Sequence, residues 1–181
     1  MADNSKPYTL ITDFVTGREV PNVGAEENRQ AVEKFLVSEK GYLKEDIQVD
    51  VDLDITVAGE AYHSQVDLVV SADGGRTRYM VIKCAAGSLG SREREIVAAA
   101  RLLDAYQIPR AVVSDGRTAI VLDTVTGKKI AEGLNAIPAR QEALNGLKSM
   151  TLVPLPTERQ EREKLIFRTY DIENVNVQRR V

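Results

Sequence analysis

The sequence predicts an α/β fold in which a mixed central sheet is flanked by helices and followed by a C-terminal helical arm. Two observations carry this prediction. The order of segments between residues 24 and 123 is helix, strand, strand, strand, helix, strand, strand. The second helix, "SREREIVAAARLLDAYQIP", lies between the strand near residue 79 and the strand near residue 111. A helical crossover of this length makes the two strands that it joins parallel, whereas the tight turns elsewhere predict antiparallel pairs.

The first helix and the strand after it have the clearest patterns. In "GAEENRQAVEKFLVSEKGY", Val32, Phe35 and Leu36 recur at helical spacing, and Gly41 suits the C-terminal cap. "IQVDVDLDITV" alternates strictly from residue 47 to 57, which is typical of a strand with one buried face. The opposite face carries three aspartates, which we interpret as a solvated edge of the sheet.

The remaining strands are bounded by turns. "SQVDLVVSADGGRTRYMVIKCAAG" predicts a hairpin around Asp73-Gly74-Gly75, and "RAVVSDGRTAIVLDTVTGKKI" predicts two further strands. Beyond Asn135, two segments read as peripheral helices separated by the proline-containing "TLVPLP". We therefore expect an α/β domain over residues 1–137, and a C-terminal helical extension with a tail over residues 138–181.

Composition excludes several classes of protein. The formal net charge is −3 and the sequence pI is about 5.4, so any nucleic-acid contact must come from a local basic patch. One cysteine and one histidine make an intramolecular disulfide impossible and argue against a zinc cage. The chain shows neither a signal-peptide pattern nor an apolar run of membrane-spanning length, which leads us to expect a cytoplasmic protein with no membrane partner.

Several short motifs along residues 13–133 carry a resemblance to a known family. "GAEENRQ" followed by "FLVSEKGY" places a Glu-x-x-Arg ahead of an apolar helix that ends in Gly-Tyr. An aspartate, Asp67, lies within the strand "SQVDLVV", and "YMVIKC" and "PRAVVSDG" follow. This order resembles the PD-(D/E)XK nucleases, and in detail the N-terminal nuclease domain of type I restriction enzyme R subunits. The resemblance implies a restriction-endonuclease-like core.

The resemblance also implies a chemistry. These nucleases hydrolyse phosphodiesters with Mg²⁺ or Mn²⁺, and hard cations of this kind prefer carboxylate oxygens. Asp67 would bind the metal, Lys83 would act on the attacking water or on the charge of the transition state, and Glu26 on the first helix would complete the site. If active, the protein would be a Mg-dependent deoxyribonuclease.

The strand that holds Lys83 departs from the family pattern. In one alignment Val81 occupies the position of the metal-binding glutamate; in the other Lys83 occupies it and Ala85 replaces the lysine. Either way the second strand acid is absent. Glu93 or Glu95 on the next helix could replace it, although "SRERE" could also be a solvated helix start. Lys83 could instead form a structural ion pair with Asp67 in a retired site.

Polar residues around this strand suggest contacts with DNA. The segment "GSLGS" precedes a helix, and backbone amides at a helix start favour phosphate. It lacks the Lys-Ser/Thr ending of a P-loop, so nucleotide hydrolysis is not expected. The predicted DNA-binding residues are Arg76, Arg78, Ser88, Ser91, Arg92 and Arg94, although scattered arginines that only contact solvent would give the same pattern.

Two functions follow as hypotheses. The first is a restriction-type DNA endonuclease-like module, degenerate unless a helix acid replaces the missing strand acid. The second is a catalytically inactive nuclease-fold subunit that binds DNA or assembles with a protein partner. The expected partners are DNA and, through the C-terminal arm, another protein or a second copy of the chain. No ATPase or methyltransferase motif is present.

Overall fold

The computed structural model describes residues 7–174, and side chains as far as residue 172. Within these residues the helices are α1 (Glu26–Ser38), α2 (Glu93–Leu102), α3 (Arg140–Ser149) and α4 (Thr157–Asn174). The strands are β1 (Leu10–Thr12), β2 (Glu19–Pro21), β3 (Ile47–Val57), β4 (Glu60–Ser71), β5 (Arg78–Cys84), β6 (Arg110–Ser114), β7 (Ala119–Asp123) and β8 (Lys129–Glu132). Most of the predicted tail, residues 175–181, lies outside the described part of the chain.

The central sheet has the mixed topology that the sequence predicts. Strands β3 to β8 form one six-stranded sheet in chain order, and β1 pairs with β2 in a separate ribbon. Helix α2 crosses from β5 to β6, and these two strands pair in parallel with Ile82 opposite Val112. The other neighbouring strands of the large sheet are antiparallel. The predicted α/β class is thus confirmed, and the mixed sheet is compatible with the predicted restriction-endonuclease-like core.

Helices cover both faces of this sheet. On one face, Val69 and Val81 belong to the same core as Ile96 of α2 and Phe167 of α4. The opposite core lies under α1 and α3, and its members include Leu68, Ile82, Val32, Leu36 and Ala143. The sheet is therefore buried on both sides, which explains the nearly continuous apolar runs of β4 and β5.

Helix α4 differs from the peripheral helix that we expected. Its Phe167 side chain is only 2% exposed, and the acidic side chains Glu163 and Asp171 are buried as well. The helix packs mainly against α2 and also contacts β3. The predicted boundary after residue 137 stays a prediction.

Along residues 7–174, none of the helices is both long and apolar enough to cross a membrane.

Strand β3 does not keep the strict alternation that its sequence suggests. Ile47 packs into the core under α1, whereas Leu53 packs into the core under α2, although both positions are odd. The alternation switches at Asp50, whose φ of 52° lies in the left-handed region that aspartate tolerates better than most residues. Asp50 consequently reaches Arg29 of α1, with 3.3 Å between its Oδ2 and Arg29 Nη1. Asp52 and Asp54 are 62% and 76% exposed, whereas Asp50 is 36% exposed and is the member of the predicted row that also pairs with this buried arginine.

Candidate functional site

Asp67 and Lys83 are neighbours on adjacent strands. The pairing of β4 with β5 ends at Leu68 opposite Ile82, and the residues just beyond this pair are Asp67 and Lys83. The Asp67 carboxylate lies close enough to raise the pKa of Lys83. The Asp67 side chain is buried, and its Oδ2 accepts a hydrogen bond of 2.7 Å from the backbone N–H of Cys84. Since that donor belongs to the strand holding Lys83, the sheet itself fixes the orientation of the carboxylate.

Glu95 supplies the direct partner of Lys83. It lies in the first turn of α2, where its Oε1 is 2.9 Å from Lys83 Nζ. The Glu95 side chain is 3% exposed and the Lys83 side chain 16%. Glu93, the other helix acid that the sequence singled out, is partly exposed and lines a different cavity. The structure therefore brings one of the two candidate helix acids to the lysine.

A third carboxylate acts on Lys83 from the C-terminal helix. Burial alone would lower the pKa of Lys83, but attraction from Asp67, Glu95 and Asp171 outweighs burial and raises the pKa above its ordinary value. Asp171 is buried and accepts a hydrogen bond from the hydroxyl of Tyr62 on β4. The lysine is thus firmly protonated at neutral pH.

Asp171 is a member of this cluster that the sequence did not predict. The residue lies on α4, four positions after Phe167 and eight after Glu163, and all three side chains are buried. Residues at this spacing share one face of a helix, so an acid in line with a core phenylalanine was the available signal. That signal is weak, because acids at helical spacing are also common on solvated helix faces.

Asp67 and Glu95 carry the carboxylate oxygens that a hard divalent cation prefers. Asp67, Glu95 and Asp171 attract the ammonium group of Lys83, and the Arg92 guanidinium lies 3.9 Å from Glu95, so three carboxylates share two positive charges in a largely buried site. Within residues 7–172, no three His, Cys, Asp or Glu side chains converge closely enough to hold a metal ion by themselves. Mg²⁺ commonly uses only one or two protein carboxylates and completes its shell with water and substrate phosphate. Asp67 and Glu95 match that requirement.

Glu26, the expected third member of the site, accepts several hydrogen bonds from other residues of α1. Its Oε1 accepts bonds of 2.9 and 2.6 Å from Nε and Nη2 of Arg29, and one of 2.9 Å from Gln30. Arg29 also pairs with Asp13 and Asp50, so Glu26 belongs to a buried charged cluster centred on that arginine. A catalytic or metal-binding role for Glu26 stays a prediction.

The same cluster contains an acid that is protonated at neutral pH. Burial, together with the nearby Asp13 carboxylate, raises the pKa of Glu33 to about 8. Glu33 Oε2 accepts a hydrogen bond from the backbone of Val15, whereas Oε1 is buried and accepts none in the described residues. Two carboxylates can share a hydrogen bond only when one is protonated, so a neutral Glu33 can donate to Asp13.

The predicted DNA-binding residues fall into two groups. Ser88, Ser91, Arg92 and Arg94 lie together in the turn before α2 and in its first turn. Arg76 precedes β5 and Arg78 begins it, five residues before Lys83. Five residues of strand span about 16 Å, so these two arginines lie at the opposite end of β5. A DNA contact at either group stays a prediction.

Arg92 is the arginine of the first group whose guanidinium has buried donors without a hydrogen-bond partner. Its Nη1 lies 3.9 Å from Glu95 Oε2, which is an ion pair without a hydrogen bond. Its Nε and Nη1 are buried and have no hydrogen-bond partner among the side chains and backbone described. In contrast, Ser91 donates to the carbonyl of Ser88, and Arg94 donates to the hydroxyl of Tyr170. Arg92 therefore retains donors beside Glu95.

Comparison with known proteins supports the resemblance seen in the sequence. Residues 24–138 match the family model of the type I restriction enzyme R protein N terminus, a range well over half of the chain. The matched range includes Asp67, Lys83 and Glu95 but ends before α3 and α4, and thus before Asp171. Neither the curated proteins nor the solved structures give a significant match.

Proposed function

The chain belongs to the family of the type I restriction enzyme R protein N terminus, and on that premise we propose that it is a metal-dependent DNA endonuclease module. The observation that carries the proposal is the 2.9 Å contact between Lys83 Nζ and Glu95 Oε1, beside Asp67. In this proposal, Glu95 on helix α2 replaces the acid that strand β5 lacks. Asp67 and Glu95 would hold Mg²⁺ or Mn²⁺, and Lys83 would lie next to the scissile phosphate.

The two carboxylates are oriented before any substrate binds. The N–H of Cys84 fixes one Asp67 oxygen, and the first turn of α2 places Glu95, where the helix dipole favours a negative charge. A bound divalent cation would polarise the phosphate and lower the pKa of a coordinated water. Because oriented groups need little reorganisation during the reaction, this rigidity favours catalysis.

Lys83 suits electrostatic stabilisation better than proton abstraction. Its raised pKa keeps it charged at neutral pH, so it holds no lone pair with which to act as a base. Its ammonium group can instead stabilise the negative charge that builds up on a phosphate oxygen. The buried donors of Arg92 beside Glu95 would assist in the same way. The lysine would first have to exchange part of its contact with Glu95 for the phosphate.

One observation favours a second function. The Lys83–Glu95 ion pair occupies a carboxylate oxygen that metal binding would use, as expected for a nuclease that has lost its activity. The chain would then be an inactive nuclease-fold subunit that binds DNA or assembles with a partner through its C-terminal helices. This reading still uses the nuclease-like fold and the basic groups at the start of α2, but it requires no turnover.

A plasmid assay separates the two functions. Supercoiled DNA is incubated with the protein in Mg²⁺ or Mn²⁺, alongside Asp67→Asn and the matched exposed control Asp52→Asn, whose side chain is 62% exposed. An endonuclease nicks the plasmid, the control retains that activity, and Asp67→Asn reduces the rate roughly 100-fold or more. Salt-sensitive DNA retention without nicking would favour the inactive subunit. If the protein neither nicks nor retains DNA, both the endonuclease and the DNA-binding subunit are contradicted.

A further inference from the structure

A second polar cavity lies between α2, α4 and the turn that follows β7. Its volume is about 450 Å³. The charged side chains that line it are Arg94, Arg101, Arg159, Arg162, Glu93 and Glu163. We propose that this cavity binds phosphate groups of the nucleic-acid strand that flanks the cleaved bond. The proposal rests on the proposed function only in taking DNA as the substrate of the neighbouring site.

The charge of the cavity runs against that of the chain. Four guanidinium groups face two carboxylates, whereas the chain as a whole has a formal net charge of −3. A local excess of positive charge within an acidic protein is the electrostatic footprint expected of a nucleic-acid contact. Arginine suits this task, because its planar fork matches two phosphate oxygens at once.

The floor of the cavity is held rigidly. Arg101 is buried and bonds at 2.8 Å to Glu163 of α4, and it also donates to the backbone carbonyls of Thr124 and Val125. These bonds tie α2, α4 and the end of β7 together. Arg101 is consequently a structural group whose charge is largely balanced by Glu163.

The rim carries the arginines that a ligand can reach. The Arg159 side chain is 41% exposed and contacts Glu163 only at 3.4 Å, and Arg162 is exposed. Both arginines come from α4, and Arg94 faces them from α2. An incoming phosphate could therefore bind the exposed guanidinium groups without breaking the buried pair beneath them.

Helix α2 links this cavity to the candidate active site. Glu95 contacts Lys83 on one side of the helix, and Arg94, Val97 and Arg101 line the cavity on the other. Seven residues separate Arg94 from Arg101, a rise of about 10 Å along the helix. The cavity volume is within the range of ordinary ligand pockets, and it gives room for a short stretch of backbone rather than a duplex. A strand bound at Lys83 could thus continue along α2.

Binding without metal tests this proposal. Fluorescence anisotropy with a labelled single strand of about 12 nucleotides in EDTA measures affinity in the absence of cleavage. The double variant Arg159→Ala/Arg162→Ala should bind roughly tenfold more weakly. Its slope of log affinity against log salt should be smaller in magnitude by about 1.4, since two phosphate contacts are lost. The matched control is Arg168→Ala on the same helix, which pairs with Glu60 and should leave both quantities unchanged.

Each alternative outcome has a definite meaning. Equal affinity and equal salt slope for the double variant and the parent would overturn the proposal, as would the absence of any binding. Displacement of the strand by inorganic phosphate or AMP at similar concentrations would also overturn it, and would assign the cavity to small phosphorylated ligands. Loss of affinity in the double variant, in a protein that never nicks plasmid, would uphold this site and contradict the endonuclease alone.

Discussion

Lys83 Nζ lies 2.9 Å from Glu95 Oε1, and this contact joins the end of strand β5 to the first turn of helix α2. It shows how a site can keep a carboxylate next to a lysine when the strand itself has none. Val81, two residues before Lys83, is fully buried and packs in the core under α2. An acid at that position would be buried in apolar surroundings. An acid in the first turn of α2 reaches the same lysine from the helix that covers this face of the sheet.

Glu95→Gln should abolish plasmid nicking. The amide keeps the shape of the side chain but removes the charge that would bind the cation, so we expect a loss of roughly 100-fold or more in rate. Asp52→Asn is the control, because it removes an exposed acid on strand β3 that belongs to neither site and should leave the rate within about twofold. Equal losses in the two variants would contradict the assignment of Glu95 as a metal ligand.

Lys83→Met should destabilise the folded protein by about 3 kcal/mol, because it leaves buried carboxylates without their countercharge. Adding Glu95→Gln should recover about 1–2 kcal/mol of that loss, since the variant then buries one negative charge fewer. Urea denaturation of the parent, both single variants and the double variant gives the coupling between the two residues. Strictly additive free energies would show that the observed contact contributes nothing to stability.

Mg²⁺ should stabilise the protein against heat without any substrate. A cation present at ten times its dissociation constant adds about 1.4 kcal/mol, which corresponds to a rise of about 4 °C in Tm for a chain of this size. Asp67→Asn should eliminate the rise. Asp54→Asn, an exposed acid on the neighbouring strand β3, should retain it. A similar rise in all three proteins would point to unspecific binding.

The stability of the protein should fall as pH rises from about 5 to 8, in part because of Glu33. Its pKa is raised from an ordinary 4.5 to about 8 in the folded protein. The folded state therefore holds a proton that the unfolded state releases, so this contribution is complete below pH 4.5 and disappears as pH passes 8. Glu33→Gln mimics the protonated acid and should remove the loss, a difference of about 3–4 kcal/mol between pH 5 and pH 8.

Urea denaturation of the parent and Glu33→Gln at pH 5 and pH 8 measures this difference. Glu39→Gln, an exposed acid at the end of the same helix, is the matched control and should follow the parent at both values. If Glu33→Gln loses as much stability as the parent between the two pH values, the proton resides elsewhere in the cluster around Arg29.

The local pattern of the sequence determined most of the fold. Apolar spacing in α1, the turn at Asp73-Gly74-Gly75 and the single helix between β5 and β6 were enough to predict the order of elements and the parallel pair. These features depend on neighbours in the chain and on the handedness rules of strand crossovers, so they can be read without knowing the packing.

Only the tertiary structure decided which acids meet Lys83. Glu93 and Glu95 differ by two positions on one helix, and the rotation of α2 against the sheet selects Glu95. Asp171 arrives from α4, almost ninety residues after Lys83 in the chain, because Phe167 anchors that helix in the core. The sequence by itself therefore determined the strands and the residues Asp67 and Lys83, while the packing of two helices decided their partners, since packing depends on contacts that no local pattern records.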